Sequence, residues 1–325
     1  MELNAENVAG YLEGRGITCC GASELGGGVS NSVLQIDTAD GFFILKQALP
    51  RLRVKDEWLA DRSRIFRESA ALEEAARLLP PGSVPQVLWT DRANHAFAMQ
   101  AVPGLSWKEM LFAGVVSPET ARQVGSLLGQ FINSTWQRSD LREQYGDQTA
   151  FDQLRIDPYY RTIAARHADV AGRVRNLIEE SAARRVCLVH GDFSPKNLLL
   201  CDGRVYLIDF EVVHFGDPTF DAAFLLNHLA IKRLVLRSAA RSLTDAMRSY
   251  WTALASSLPA AAYPWFWPAT AKHLGCLMLA RVDGKSPVEY IKDDPTRSAL
   301  RAWAKTLIFD PPQDLEALLR SNAAV

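Results

Sequence analysis

Leu188-Val189-His190-Gly191-Asp192-Phe193-Ser194-Pro195-Lys196-Asn197, followed by a short apolar strand that ends in Ile208-Asp209-Phe210-Glu211, decides how this chain is read. The first stretch spells His-x-Asp-x-x-x-x-Asn, and a second Asp, Asp209, stands twelve residues after Asn197. A chemical demand explains the spacing. One carboxylate must meet an attacking hydroxyl, while an amide oxygen five residues on and a second carboxylate must meet Mg²⁺. A loop between two strands can aim all three groups into one cleft. A hydrophilic loop between buried strands would explain either half, but it leaves both halves in this order unexplained.

Working outward, Arg185–Val189 and Arg204–Ile208 read as two short strands around a loop bounded by Cys201-Asp202-Gly203. The rest of the chain after about Ser106 has helical periodicity. Ser117–Trp136 is its strongest case, with Pro118 at the helix start. Upstream the pattern changes. A short helical opening (Asn4–Glu13) precedes Ile17–Leu25, which leads into Gly26-Gly27-Gly28. Ser32–Asp37 then alternates as a half-buried strand should, Ala39-Asp40-Gly41 turns the chain, and Phe42–Gln47 returns. Trp58–Leu79 predicts one long helix stopped by Pro80-Pro81-Gly82. Val84–Thr90 and Ala96–Gln100 predict a second hairpin. Val102-Pro103-Gly104 punctuates the chain between the two patterns, which predicts lobes at 1–102 and 103–325. The fold class is α+β: an N-terminal antiparallel sheet plus one long helix, then a mostly helical C-terminal lobe.

Composition narrows the function. The 325 residues are 48% hydrophobic, which supplies a large core, and 36 Lys plus Arg against 37 Asp plus Glu give a net charge of −1. That balance lacks the basic surplus of a nucleic-acid binder. Five cysteines, an odd set without C-x-x-C spacing, read as reduced and mostly buried thiols. The opening residues contain no apolar targeting segment, and no stretch approaches the ~18 apolar residues a membrane span needs. The expectation is a cytoplasmic protein with neither nucleic-acid nor membrane partners.

The complete His190-Gly191-Asp192…Asn197 loop resembles that of the aminoglycoside phosphotransferase and choline kinase family, small-molecule kinases with the protein-kinase-like fold. Asp209-Phe210-Glu211 through Gly216, Phe220-Asp221 and Phe224-Leu225-Leu226-Asn227 look most like its methylthioribose kinase branch. The resemblance implies a bilobal fold with ATP and Mg²⁺ bound in the cleft. Asp192 would then be the catalytic base, Asn197 and Asp209 metal ligands, and Glu211 a further ligand. His190 would shape the loop. Gly26, Gly27, Gly28, Ser30 and Asn31 resemble the phosphate-covering loop, where absent side chains let backbone N–H groups approach a triphosphate. Lys46, ending Phe43-Ile44-Leu45-Lys46, has the setting of the lysine that pairs the α- and β-phosphates. Its acidic partner on the long helix would be Glu68, with Glu73 and Glu74 as competitors because one sequence cannot fix the helix's rotation. Backbone groups of Gln100, Ala101 and Val102 match the adenine-binding hinge.

Ser194 stands where protein kinases carry a lysine, no Ala-Pro-Glu follows Asp209, and only about ten residues separate Glu211 from Phe220-Asp221. A peptide-docking platform is hard to build in that space. The expected acceptor is a small hydroxyl compound: a sugar, an amino alcohol or an antibiotic. Two alternatives stand beside it, a nucleotide-binding pseudokinase or regulatory protein and, further off, a protein kinase. A pseudokinase should have lost Asp192, Asn197, Asp209 or Lys46, and all four are present. Near the C-terminus, Tyr263, Trp265, Phe266 and Trp267 read as a helix-packing anchor or an aromatic pocket wall. Arg281–Lys285 reads as a solvated turn or a positive patch for an anionic or hydroxyl-rich acceptor.

Overall fold

The computed structural model describes residues 2–26, 31–49 and 62–321. The chain divides into two compact units: residues 1–104 with 206–211, and residues 105–205 with 212–325. The return of 206–211 to the first unit is not anticipated by a cut into two continuous stretches.

The first unit is an antiparallel sheet of β1 (Gly21–Glu24), β2 (Asn31–Thr38), β3 (Gly41–Ala48), β4 (Val87–Asp91) and β5 (Ala96–Gln100), in the order β1-β2-β3-β5-β4. Side chains alternate across a strand. Leu34 and Ile36, Phe43 and Leu45, and Ala96 and Ala98 therefore share one face, where Leu3, Val8 and Leu12 of the N-terminal segment close a core. Lys46 lies on the other face of β3. The helix Arg64–Leu78 buries Ile65, Glu68, Ser69, Ala71, Leu72 and Ala75 along one stripe. It ends where Leu79, ahead of Pro80, turns extended. The expected helix began at Trp58; residues 58–61 lie outside the described residues. Ser83 accepts a hydrogen bond on its carbonyl from the Leu207 N–H at 2.8 Å, which ties 206–211 to this unit.

In the second unit the helices Pro118–Thr135 and Ala240–Ser256 pack so closely that a Cβ on Gly125 would sit 2.1 Å from the Tyr250 carbonyl oxygen. Only glycine permits that approach. β6 (Leu105–Ser106) pairs with β8 (Leu198–Cys201), and β7 (Cys187–Val189) pairs with β10 (His214–Gly216), both antiparallel. β8 turns through Asp202 (φ 49°) and Gly203 (φ 72°) into β9 (Arg204–Leu207). Positive φ at both positions suits an Asp-Gly hairpin turn. The two strands expected here are thus four. β8 and β10 have only four and three residues, too few for alternation to register in the sequence.

The aromatic run opens the helix Tyr263–Asp283 and anchors it: Trp265 stacks on Trp136 at 6.1 Å, and Trp267 meets Trp251 edge-on at 4.6 Å. All five cysteines are free thiols; Cys187 and Cys276 are buried, Cys19 and Cys201 half-buried and Cys20 exposed. Among the described residues no helix is long and apolar enough to cross a membrane.

Candidate active site

The first unit gathers charge around Lys46. Its ammonium contacts Glu68 Oε1 at 2.6 Å and Asp209 Oδ1 at 2.7 Å, and only 6% of the residue is exposed. β3 aims Lys46 at the helix stripe that carries Glu68, so the helix's rotation selects this glutamate. Glu73 points to solvent, and Glu74 pairs with Arg77. Burial disfavours the ammonium, yet Asp209, Glu68 and Glu211 outweigh it and hold Lys46 above the usual lysine range. Burial also raises the Glu68 carboxyl; Lys46 pulls it down and Asp209 and Glu211 push it up again, to about 7. The ammonium therefore contacts two carboxylates and feels the charge of a third, Glu211.

Asp209 holds a left-handed backbone at φ 70°, a conformation that costs an L-residue roughly 1–2 kcal/mol. Asn31 Nδ2 donates to Glu211 Oε2 at 3.3 Å, and the buried Asn31 Oδ1 has no partner among the described residues. At the strand end, Gln100 N–H donates to the Gln86 carbonyl and Val102 O accepts from Gly104 N–H, while Ala101 is buried. Gly26 has open space around it; Gly27, Gly28 and Ser30 lie outside the described residues.

The second unit builds the opposite arrangement, one carboxylate among donors. Asp192 is 3% exposed, and its Oδ2 receives Asn197 Nδ2 at 2.8 Å, Lys196 Nζ at 2.8 Å and Arg155 Nη2 at 3.1 Å. The loop is fixed from below. Asp221 accepts the His190 N–H at 2.7 Å and the Gly191 N–H at 2.9 Å, and Arg155 Nε donates to the Gly191 carbonyl at 2.8 Å. Gly191, at φ 77°, could not carry a Cβ, which would lie 2.9 Å from Val212. His190 is fully buried and its Nδ1 accepts the Asp192 N–H at 3.1 Å, so it orders the loop. Burial raises the Asp221 carboxyl to about 7 against its two backbone donors.

The sequence reading missed Arg155, Lys196 and Asp221 as parts of this site. Arg155 stands in a π-helical stretch, Asp152–Arg161, whose spacing matches neither helix nor strand periodicity. Lys196 had a readable signal: the turn Pro195–Asn197 brings a lysine four residues after Asp192 back to its carboxylate.

Mg²⁺ fits the donors offered in each unit. Among the described residues no three His, Cys, Asp or Glu side chains converge as a ready-made metal site. Mg²⁺ does not require one, since it is commonly held by one or two carboxylates with water and phosphate oxygens. In the first unit the carboxylates of Asp209 and Glu211 suit a divalent ion. In the second, Asn197 Nδ2 is committed to Asp192, which leaves the amide oxygen to offer a cation.

The sequence profile of the phosphotransferase enzyme family matches residues 21–255. Methylthioribose kinase 2 of rice (Oryza sativa subsp. japonica) is 26% identical over 254 residues, covering 69% of this chain and 59% of its own. Methylthioribose kinase of Escherichia coli O45:K1 is 24% identical, covering 70% of this chain and 64% of its own. The chain thus matches somewhat less than two thirds of these relatives' length. An amicoumacin kinase solved with AMP-PNP, Ca²⁺ and Ami superposes at a TM-score of 0.60 over 91% of each chain, with 14% identity. The α+β fold is protein-kinase-like.

Proposed function

Because this chain belongs to the phosphotransferase enzyme family, we propose that it is a small-molecule kinase transferring the γ-phosphate of ATP, with Mg²⁺, to a hydroxyl of a sugar, amino alcohol or antibiotic. The observation that carries this reading is Lys46 held by both Glu68 and Asp209, residues 22 and 163 positions away. A lysine so pinned presents its charge at one place, where it serves the phosphates. Asp209, Glu211 and Asn197 would hold Mg²⁺, which when bound neutralises charge on the phosphate oxygens. Gly26 to Asn31 would cover the phosphates, and the backbone of Gln100 to Val102 would receive the adenine.

Asp192 is the base in this reading. It accepts the acceptor hydroxyl's proton as the oxygen attacks, and Asp221, His190 and Arg155 keep it from turning away. A positioned base contributes ~10²- to 10⁴-fold in rate. The test is acceptor-dependent ADP formation with ATP and Mg²⁺ across sugars, amino alcohols and antibiotics. Turnover should vanish on chelation of Mg²⁺ and fall at least ~10²-fold in Asp192→Ala. ADP formation independent of every acceptor, or an Asp192→Ala variant as active as the parent, would sink the proposal.

A further inference from the structure

We infer that the acceptor carries an anionic group, a carboxylate or a phosphate, received by Lys232 and Arg281 of the second unit. The inference rests on the kinase reading above and names its substrate class.

Lys232 is 1% exposed, and among the described residues its ammonium has no carboxylate and no hydrogen-bond acceptor. It lies against two ring faces, Phe112 at 5.2 Å and Tyr290 at 5.4 Å, contacts that offset only part of a desolvated charge. The Tyr290 hydroxyl beside it is buried and also unpartnered among the described residues. Among the described residues Arg281 donates to neutral groups, Tyr159 OH at 3.0 Å, Ser286 O at 2.8 Å and Ser286 Oγ at 3.1 Å, and its Nε has no partner. The other nearby cations are matched: Lys108 by Glu289 at 3.0 Å, and Lys196 by Asp192. Among the described residues neither cation has a carboxylate at ion-pair distance, although Arg281, which is half-exposed, lies within the field of Glu289; the buried one, Lys232, is costly unless something pairs with it.

Place ties the pair to Asp192. Asp221, His228 and Lys232 fall on one face of the helix Thr219–Val235, seven and eleven residues apart from the first, or about 10 Å and 16 Å along the axis. Asp221 holds the loop that carries Asp192, and His228, edge-on to Phe224 at 5.1 Å, lies between Asp221 and Lys232 on that helix face. Burial, then the charges of Arg281, Lys232, Lys196 and Lys108, push His228 well below its ordinary range, so all four cations lie within reach of this helix face. An acceptor with its hydroxyl at Asp192 and an acid group further along this helix would pair with both unmatched cations. Amino alcohols and aminoglycosides would meet repulsion there.

The test uses matched pairs, gluconate with glucose and ribose 5-phosphate with ribose, so that the two sources of anion are separated. Each is titrated calorimetrically into the full chain, then supplied with ATP and Mg²⁺. The anionic member of at least one pair should bind at least tenfold tighter, and that preference should shrink to within about threefold in Lys232→Met and in Arg281→Gln. Unfolding midpoints establish that the variants are folded. The inference is overturned if neither pair discriminates, or if the preference survives both substitutions, even where neutral acceptors yield ADP and the kinase reading stands. Anion-selective binding without any ADP would uphold the inference and defeat the kinase reading instead.

Discussion

Two lysines of this protein are buried to a similar depth in opposite surroundings. Lys46, 6% exposed, has Glu68 and Asp209 within 2.7 Å and the charge of Glu211 behind them. Lys232, 1% exposed, has aromatic rings, and its pKa falls from 10.5 to about 7 under burial and the fields of Lys108 and Arg281. The same side chain is thus a fixed structural charge in one unit and an unmatched one in the other. Burial does not decide which; the count of carboxylates within reach does.

The largest effect should come from Lys46→Met. Removing one partner of a buried ion pair leaves carboxylates uncompensated, which costs about 3–5 kcal/mol. Here Glu68 and Asp209 lose the ammonium that both contact, so chemical denaturation should show a loss in that range together with loss of turnover. A change below about 1 kcal/mol would mean that water or a neighbouring cation already solvates the cluster.

These contrasts were unevenly legible. Lys46 follows three apolar strand residues, and Phe43 and Leu45 define the face it avoids. Glu68 is one of three candidate glutamates until burial of Ile65, Ala71 and Leu72 on the same helix sets its rotation. Asp192, Asn197 and Asp209 stand in the sequence at short, fixed spacings, so the loop was readable without the fold. Lys232 was not. Lys232-Arg233 ends a helix, where basic residues normally face water, and nothing local shows that Phe112 and Tyr290 cover it from 120 and 58 positions away. Arg155 was hidden by its π-helical setting, and β8 and β10 by their length.

Lys232→Met should act in the other direction and stabilise the fold. An unfolded lysine titrates at about 10.5 and the folded one at about 7. Between these values the unfolded chain holds a proton that the folded chain has shed, so wild-type stability rises with pH across that window. Below pH 7 both states are protonated and the whole cost is present. Methionine removes it, so the variant should gain about 2–4 kcal/mol at pH 6, with the gain shrinking toward zero near pH 10.5. Urea melts at pH 6, 8 and 10 measure this. A variant less stable than the parent at pH 6 would show that Lys232 is paired in solution, and the contrast with Lys46 would collapse.

The smallest effect is expected from Glu68→Gln, which asks whether the Lys46 cluster truly has carboxylates to spare. Lys46 keeps Asp209 at 2.7 Å in this variant, so no charge is stranded and the cost should stay below about 1.5 kcal/mol at neutral pH. The pH dependence carries the sharper sign. Glu68 is raised from 4.5 to about 7 in the folded chain, so between those values the folded state binds the extra proton. Stability from this group is complete below about pH 4.5 and is lost as pH climbs through 7. Glutamine is neutral throughout and lacks that slope, so the parent's advantage over the variant should narrow from pH 4.5 to pH 7.5. Should Glu68→Gln cost as much as Lys46→Met, or should the gap widen with pH, Glu68 is an obligatory ionised partner. The cluster would then be a tight pair with Asp209 beside it, and not a lysine surrounded by surplus negative charge.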